Sequence, residues 1–240
     1  MPSFRQRTYE KELLDRDDIP FEDIKQNMQE LDLINARLGG HAITLSGFKS
    51  LTRREPGRRQ WHLAELGCGG GDNLRVIRDW AHSASLQIRL TGIDINPECI
   101  SYASGEQKNH GISFIRSDYR DITFGEKPDI VFSSLFCHHF TDEELVYMLR
   151  WMKANSSSGF FINDLHRHPL AYHSIALLTR LFSRSYLVKN DAPLSVRRGF
   201  KKNDWRRLLS TAGISDYSCR WRWAFRWLIT CYSHAYTKPL

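Results

Sequence analysis

Three short runs in this chain hold residues whose types and spacing could do chemistry. Glu65-Leu-Gly67-Cys68-Gly69-Gly70-Gly71-Asp72 combines acids with nearly bare backbone. Glycine there lets a ligand meet main-chain amides with no side chain in the way. His138-His139 and Asp164-Leu-His166-Arg167-His168 each follow an apolar run. A neutral imidazole beside a carboxylate can take the proton of a hydroxyl whose own pKa is near 10. The first run binds; the histidine pair is the candidate for proton transfer, with Asp164 to orient it, while His166 and Arg167 could bind an acceptor or stabilise the loop.

These residues need elements to position them. Trp61-His-Leu-Ala reads as a strand running into the glycine loop, and Asn73–Trp80 as a helix whose first amides face the same ligand. Twenty-two residues past Asp72, Thr91-Gly-Ile-Asp94 closes the next apolar strand with an acid. This is a nucleoside-binding βαβ unit. A dinucleotide fingerprint counted from Gly67 fails at its third glycine, where Asp72 stands. An acid at a helix N-terminus repels a pyrophosphate, and Glu65 is equally unsuited to one. Both suit a cation.

On these motifs the chain resembles the class I S-adenosylmethionine-dependent methyltransferases, whose first motif is Glu/Asp-x-Gly-x-Gly-x-Gly. The donor carries a sulfonium and an ammonium and no phosphate, so acids near the loop become assets. Ile93-Asp94-Ile95-Asn96-Pro97 looks like the second motif, Phe114-Ile-Arg-Ser117-Asp118-Tyr119 the third, and Pro128–Leu135 and Ser158–Asp164 the fourth and fifth strands. The match runs over roughly residues 60 to 164. The resemblance implies a donor site of Glu65, Gly67, Cys68, Gly69, Asp94, Ile95, Asp118, Tyr119 and Ser134, with Asp94 on the ribose hydroxyls and Asp118 on the adenine amine. It also implies S-adenosyl-L-methionine as cofactor, S-adenosyl-L-homocysteine as product, and a Rossmann-like α/β fold. That fold is a doubly wound, mostly parallel seven-stranded sheet with helices on both faces.

The acceptor is less legible. Ser133-Ser134-Leu-Phe136 stands where nucleobase-amine methyltransferases carry Asp/Asn-Pro-Pro-Tyr/Phe, which disfavours nucleic acid. The run resembles the small-molecule branch that methylates quinone precursors, phenols and polyketides. A hydroxyl on an aromatic or lipid-like acceptor is expected, in a pocket lined by Phe21, Met28, Phe136 and Phe140. His139 or His138 is the candidate base, oriented by Asp164; packing of the cofactor or pinning of a loop is the competing role for the pair. Two rival functions stay open: a nucleic-acid-directed methyltransferase, and a non-catalytic S-adenosylmethionine-binding protein. A dehydrogenase is weaker than both.

Composition sets the frame. At 240 residues and 41% hydrophobic content, one large core is expected. Residues 1–55 read as a helical lid or accessory segment and 56–240 as the donor-binding domain. In the first, Phe21, Ile24, Met28, Leu31, Ile34 and Leu38 form a helical stripe ended by Gly39-Gly40, and 42–51 form a second short helix. Helices are also expected over 72–82, 97–110, 142–153, 169–182 and 203–213. A closing pair of strands is expected within 214–232, with Trp221, Trp223, Phe225 and Trp227 on one face and Arg220, Arg222 and Arg226 on the other. Five scattered cysteines show no metal spacing and read as reduced thiols of a cytoplasmic protein. No metal site and no apolar run of about 20 residues is evident. The net charge of +7 sits in residues 184–240, with 12 basic against 3 acidic residues, and reads as a solvated surface before it reads as a polyanion site.

Overall fold

The computed structural model describes residues 3–16 and 18–233. Its centre is a seven-stranded sheet of order β3-β2-β1-β4-β5-β7-β6. The strands are β1 (Gln60–Leu66), β2 (Gln87–Asp94), β3 (Ile112–Arg116), β4 (Ile130–Ser134), β5 (Gly159–Leu165), β6 (Tyr217–Arg222) and β7 (Arg226–Tyr232). The first five run parallel, and β7 is antiparallel to both β5 and β6. The strand order reverses between β1 and β4, so the carboxyl ends of those strands open a crevice for ligands.

Alternation along the strands sorts the core into two layers. Leu63, Phe132, Phe161 and Leu228 face α2 (Gly40–Thr52) and α3 (Asp72–Ser83). Ala64, Val131, Phe160, Ile162, Trp227 and Ile229 face α5 (Asp142–Ala154) and α8 (Lys202–Thr211). Strands covered on both faces must be apolar at successive positions, as β4 and β5 are. The two N-terminal helices divide between roles. α2 is part of the sheet's cover, with Phe48 and Leu51 fully buried, whereas α1 (Phe21–Arg37) packs on α2, on α4 (Pro97–Gly105) and on α7 (Tyr186–Arg198).

Three expectations need correction. The helix expected over 97–110 stops at Gly105 and resumes as a 3-10 turn at Gln107–Asn109. Helix α7 was not foreseen, because Pro193 and Asp191 interrupt its apolar pattern. Nor do the C-terminal cations form one solvated face. Arg198 and Arg226 are buried, Arg197 pairs with Glu10 and Arg207 with Asp142. The alternation expected through 220–227 is broken: residues 223–225 turn between β6 and β7, with Phe225 at φ 54°, so Trp223 and Phe225 continue neither face, and of the three arginines Arg226 is buried on the α2 side whereas Arg220 is exposed. The remaining helix, α6 (Pro169–Phe182), follows β5. All five cysteines are free. No helix among the described residues is long and apolar enough to cross a membrane.

Candidate active site

The glycine loop turns between β1 and α3 with positive φ at Gly67, Gly69 and Gly71. A Cβ at Gly67 would stand 2.1 Å from the Phe136 ring, so backbone shape and close approach both demand glycine. Asp94, at the end of β2, ties this loop down: its carboxylate accepts from the Gly69 amide at 3.0 Å and from the Asn96 amide at 2.9 Å. Burial pushes its pKa up, against the pull of those two amides and of nearby His139.

The acids of the loop differ in charge. Glu65 is fully buried, and burial with the neighbouring Asp72 carboxylate pushes its pKa well up. Asn73 donates to its Oε1 at 3.0 Å, and Oε2 has no partner. Asp72 stays ionised: despite burial, His41 at 2.7 Å and Asn35 at 3.2 Å hold its pKa below the ordinary range. The negative charge of the loop therefore rests on Asp72 more than on Glu65. Beside it lies Arg226, whose burial lowers its pKa to about 10 against the pull of Asp164 and Asp72. Its Nη2 donates to Asn35 Oδ1 at 2.9 Å, and its buried Nη1 has no partner.

The other expected donor-site residues are scattered around this centre. Cys68 is buried and Ile95 is exposed beside Asp94. Asp118 caps a 3-10 turn and is held by Arg120 at 3.0 Å. Tyr119 is buried edge-on against Trp151. Ser134 accepts from Asn163 at 3.3 Å. The four residues expected to line the acceptor pocket separate into two groups. Phe136 and Phe140 pack edge to face at 4.8 Å, on the Gly67 side. Phe21 and Met28 cluster with Cys99 and Tyr102, and Met28 lies over Gly69.

The histidine pair is the most elaborated part of the site. His138 Nδ1 lies 2.8 Å from Asp164 Oδ1, both groups buried. His139 Nδ1 lies 3.1 Å from Asp15 Oδ1. Buried Glu12 stands 3.6 Å from His138 Nε2 and 3.8 Å from His139 Nε2. Burial would lower the pKa of His139, but Asp15 and Glu12 outweigh it and raise it. Asp15 falls to about 2, as its bond to His139 overcomes burial. Arg198 donates to the carbonyls of His138 at 3.1 Å and His139 at 2.9 Å, and Arg7 to that of Phe140 at 2.9 Å. Two guanidinium groups thus fix the turn that carries the rings.

Sequence reasoning missed Glu12 and Asp15. They arrive on an N-terminal strap that has no periodic signal and is anchored to α7. Asp191 accepts from the amides of Leu13 and Leu14, and Ser195 donates to Glu12 at 2.7 Å. Of the second cluster only Asp164 joins the site. His166 is held neutral, its pKa near 4 through burial and surrounding cations, and accepts from Trp221 at 3.2 Å. Arg167 is buried against Asp204 at 2.9 Å, and His168 caps α6. Two groupings, Glu12–His138–His139 and Asp32–His41–Asp72, bring three possible metal-ligand atoms within 4.8 Å of one another, and the sequence gives no sign of either.

Comparison with known proteins agrees with this architecture. The family model described as a methyltransferase domain matches residues 63–159. No curated protein sequence matches the chain. Human N-acetylserotonin methyltransferase in complex with S-adenosylmethionine is similar in structure, with a TM-score of 0.63 at 19% identity, over 90% of this chain and 57% of that one. This chain thus spans little more than half of the human protein's length. Magnesium protoporphyrin IX methyltransferase from Synechocystis PCC 6803 gives 0.54 at 14% identity, over 85% and 84% of the two chains. The plantazolicin methyltransferase BpumL, bound to S-adenosylhomocysteine, gives 0.57 at 20% identity, over 81% and 72%. At such identities the likeness is one of fold. The strand order, the glycine loop closed by Asp94 and the family match agree: residues 63–159 match a methyltransferase domain, set in a Rossmann-like methyltransferase fold.

Proposed function

We propose that this protein moves a methyl group from S-adenosylmethionine to a hydroxyl of a small, apolar aromatic or lipid-like acceptor, with His139 as proton acceptor and His138 as the residue that positions it. The observation that carries this reading is the carboxylate–imidazole array at the carboxyl edge of the sheet, with Glu12, His138 and Asp164 buried and His139 and Asp15 reaching the surface. In the transfer the acceptor oxygen displaces the sulfonium sulfur in line, its proton passes to the imidazole, and the neutral thioether leaves. His139 is the more accessible of the two rings, and its lowering effect on the Asp94 pKa supports a position on the donor's ribose side.

For the donor, Asp94 takes the ribose hydroxyls, the amides of Gly67, Cys68 and Gly69 line its path, and Ile95 offers an apolar face to the adenine. Asp118 reaches the adenine amine, sharing its carboxylate with Arg120, while Tyr119 and Ser134 back the cleft. The amino-acid end of the donor is a zwitterion, and the loop has a matching pair: the Asp72 carboxylate for the ammonium and the free Nη1–H of Arg226 for the carboxylate. Arg226→Met therefore raises the KM for S-adenosylmethionine by about tenfold or more while changing kcat little, since a charge-assisted hydrogen bond contributes about 1.5–3 kcal/mol. An unchanged KM would remove Arg226 from the donor site. α1 and the strap before it act as the lid.

Labelled methyl transfer into a panel of phenols and quinols is the test of the whole reading. Label in the phenolic oxygen supports it. Label found in RNA or DNA, or none in any acceptor while S-adenosylhomocysteine binds, overturns it in favour of a nucleic-acid enzyme or a binding protein. The burial or pairing of Arg197, Arg198, Arg207 and Arg226 favours the small acceptor. The free cysteines are compatible with a cytoplasmic location.

A further inference from the structure

α6 leaves most of itself uncovered. Ala171 and Thr179 are its buried residues, whereas Leu170, Leu177 and Leu181 are 58%, 59% and 62% exposed and Phe182 is 78% exposed. Spacings of seven and four put the three leucines on one face, opposite Thr179. An exposed apolar stripe of this kind marks an interaction surface.

Charge identifies the partner. Residues 165–190 contain no Asp or Glu and four cations. Of these Arg167 is buried, while Arg180, Arg184 and Lys189 are exposed and form no ion pair among the described residues. A leucine face edged by unpaired cations fits the boundary between the headgroups and acyl chains of an anionic membrane. A second copy docking face to face would bring like cations together, which disfavours it. At 14 residues the helix is too short to span a bilayer.

We propose that α6 docks the protein on an anionic lipid surface, with Leu170, Leu177, Leu181 and Phe182 in the interface and Arg180, Arg184 and Lys189 on the headgroups. The placement suits the site. α6 begins five residues after Asp164 and packs on α7, which anchors the strap, and Phe4 of the N-terminal segment meets Tyr172 edge-on at 5.6 Å. On the reading that the acceptor is lipid-like, this contact would set the entrance beside the acceptor's own phase.

The test is co-sedimentation with phosphatidylcholine vesicles, with and without phosphatidylglycerol, alongside calorimetry with S-adenosylhomocysteine. The wild-type protein should pellet with the anionic vesicles and be released by salt. The double variant Leu177→Glu, Leu181→Glu should lower the bound fraction about tenfold or more. Arg180→Glu with Arg184→Glu should lower it on anionic vesicles alone. Both variants should keep wild-type melting and S-adenosylhomocysteine binding, so loss of docking is separable from failure of the methyl-transfer reading. Absence of binding to anionic vesicles at low salt overturns the proposal, as does binding that neither variant weakens. Light scattering that finds a dimer split by Leu177→Glu, Leu181→Glu would overturn it too, assigning the face to a second copy.

Discussion

Asp94→Ala weakens binding of S-adenosylmethionine and S-adenosylhomocysteine by about two to three orders of magnitude, as measured by calorimetry. On the proposed role the carboxylate offers acceptors to two ribose hydroxyls, each charge-assisted bond contributes about 1.5–3 kcal/mol, and 1.4 kcal/mol is tenfold in affinity. The effect has a second source. Asp94 accepts the Gly69 amide, so its loss also frees the loop from the shape that receives the donor. Asp94→Asn separates the two contributions. The amide oxygen can still take one backbone N–H, so the loop is held while the charge is gone, and a loss of about tenfold is expected. Melting curves of both variants distinguish a weakened site from an unfolded one. Binding of Asp94→Ala within about twofold of wild type would remove this residue from the donor site.

The second large effect concerns pH. A base must be neutral to accept a proton, and Asp15 and Glu12 raise the pKa of His139 despite its burial. Below that pKa the ring is already protonated and idle. kcat/KM should therefore rise with unit slope as pH increases and level off above about 6.5, the ordinary imidazole value. Asp15→Asn removes the hydrogen-bonded counter-charge, so the inflection should move to lower pH and the activity at acid pH should rise relative to the plateau. His139→Ala should cost about 10²–10⁴ in kcat at the plateau. An inflection that Asp15→Asn leaves in place would show that another group controls the profile, and unchanged kcat in His139→Ala would make the pair a packing device.

The donor half was legible because its signals are local. The first strand of the βαβ unit is an apolar run, the turn after it is rich in glycine, and Asp94 ends the second strand within 30 residues of the loop it ties. The surroundings of the histidine pair had no such signal. Asp15 and His139 are 124 positions apart, and nothing in the strap's composition announces that it will fold back. Arg226 misled for another reason. Alternation tells which residues share a face, but not that α2 will cover that face and bury the guanidinium. α7 was invisible because its proline and buried Asp191 blur the helical stripe, although that same Asp191 anchors the strap.

The imidazole comes from the turn after β4 and its counter-ions from the N-terminal strap, and this has a consequence for timing. Any ligand bulky enough to displace the strap would carry Glu12 and Asp15 away and leave His139 an ordinary, weaker base. Proton abstraction would then begin only after the segment reseats over a loaded cleft, making closure the switch that arms the reaction and sparing the open enzyme futile encounters with solvent.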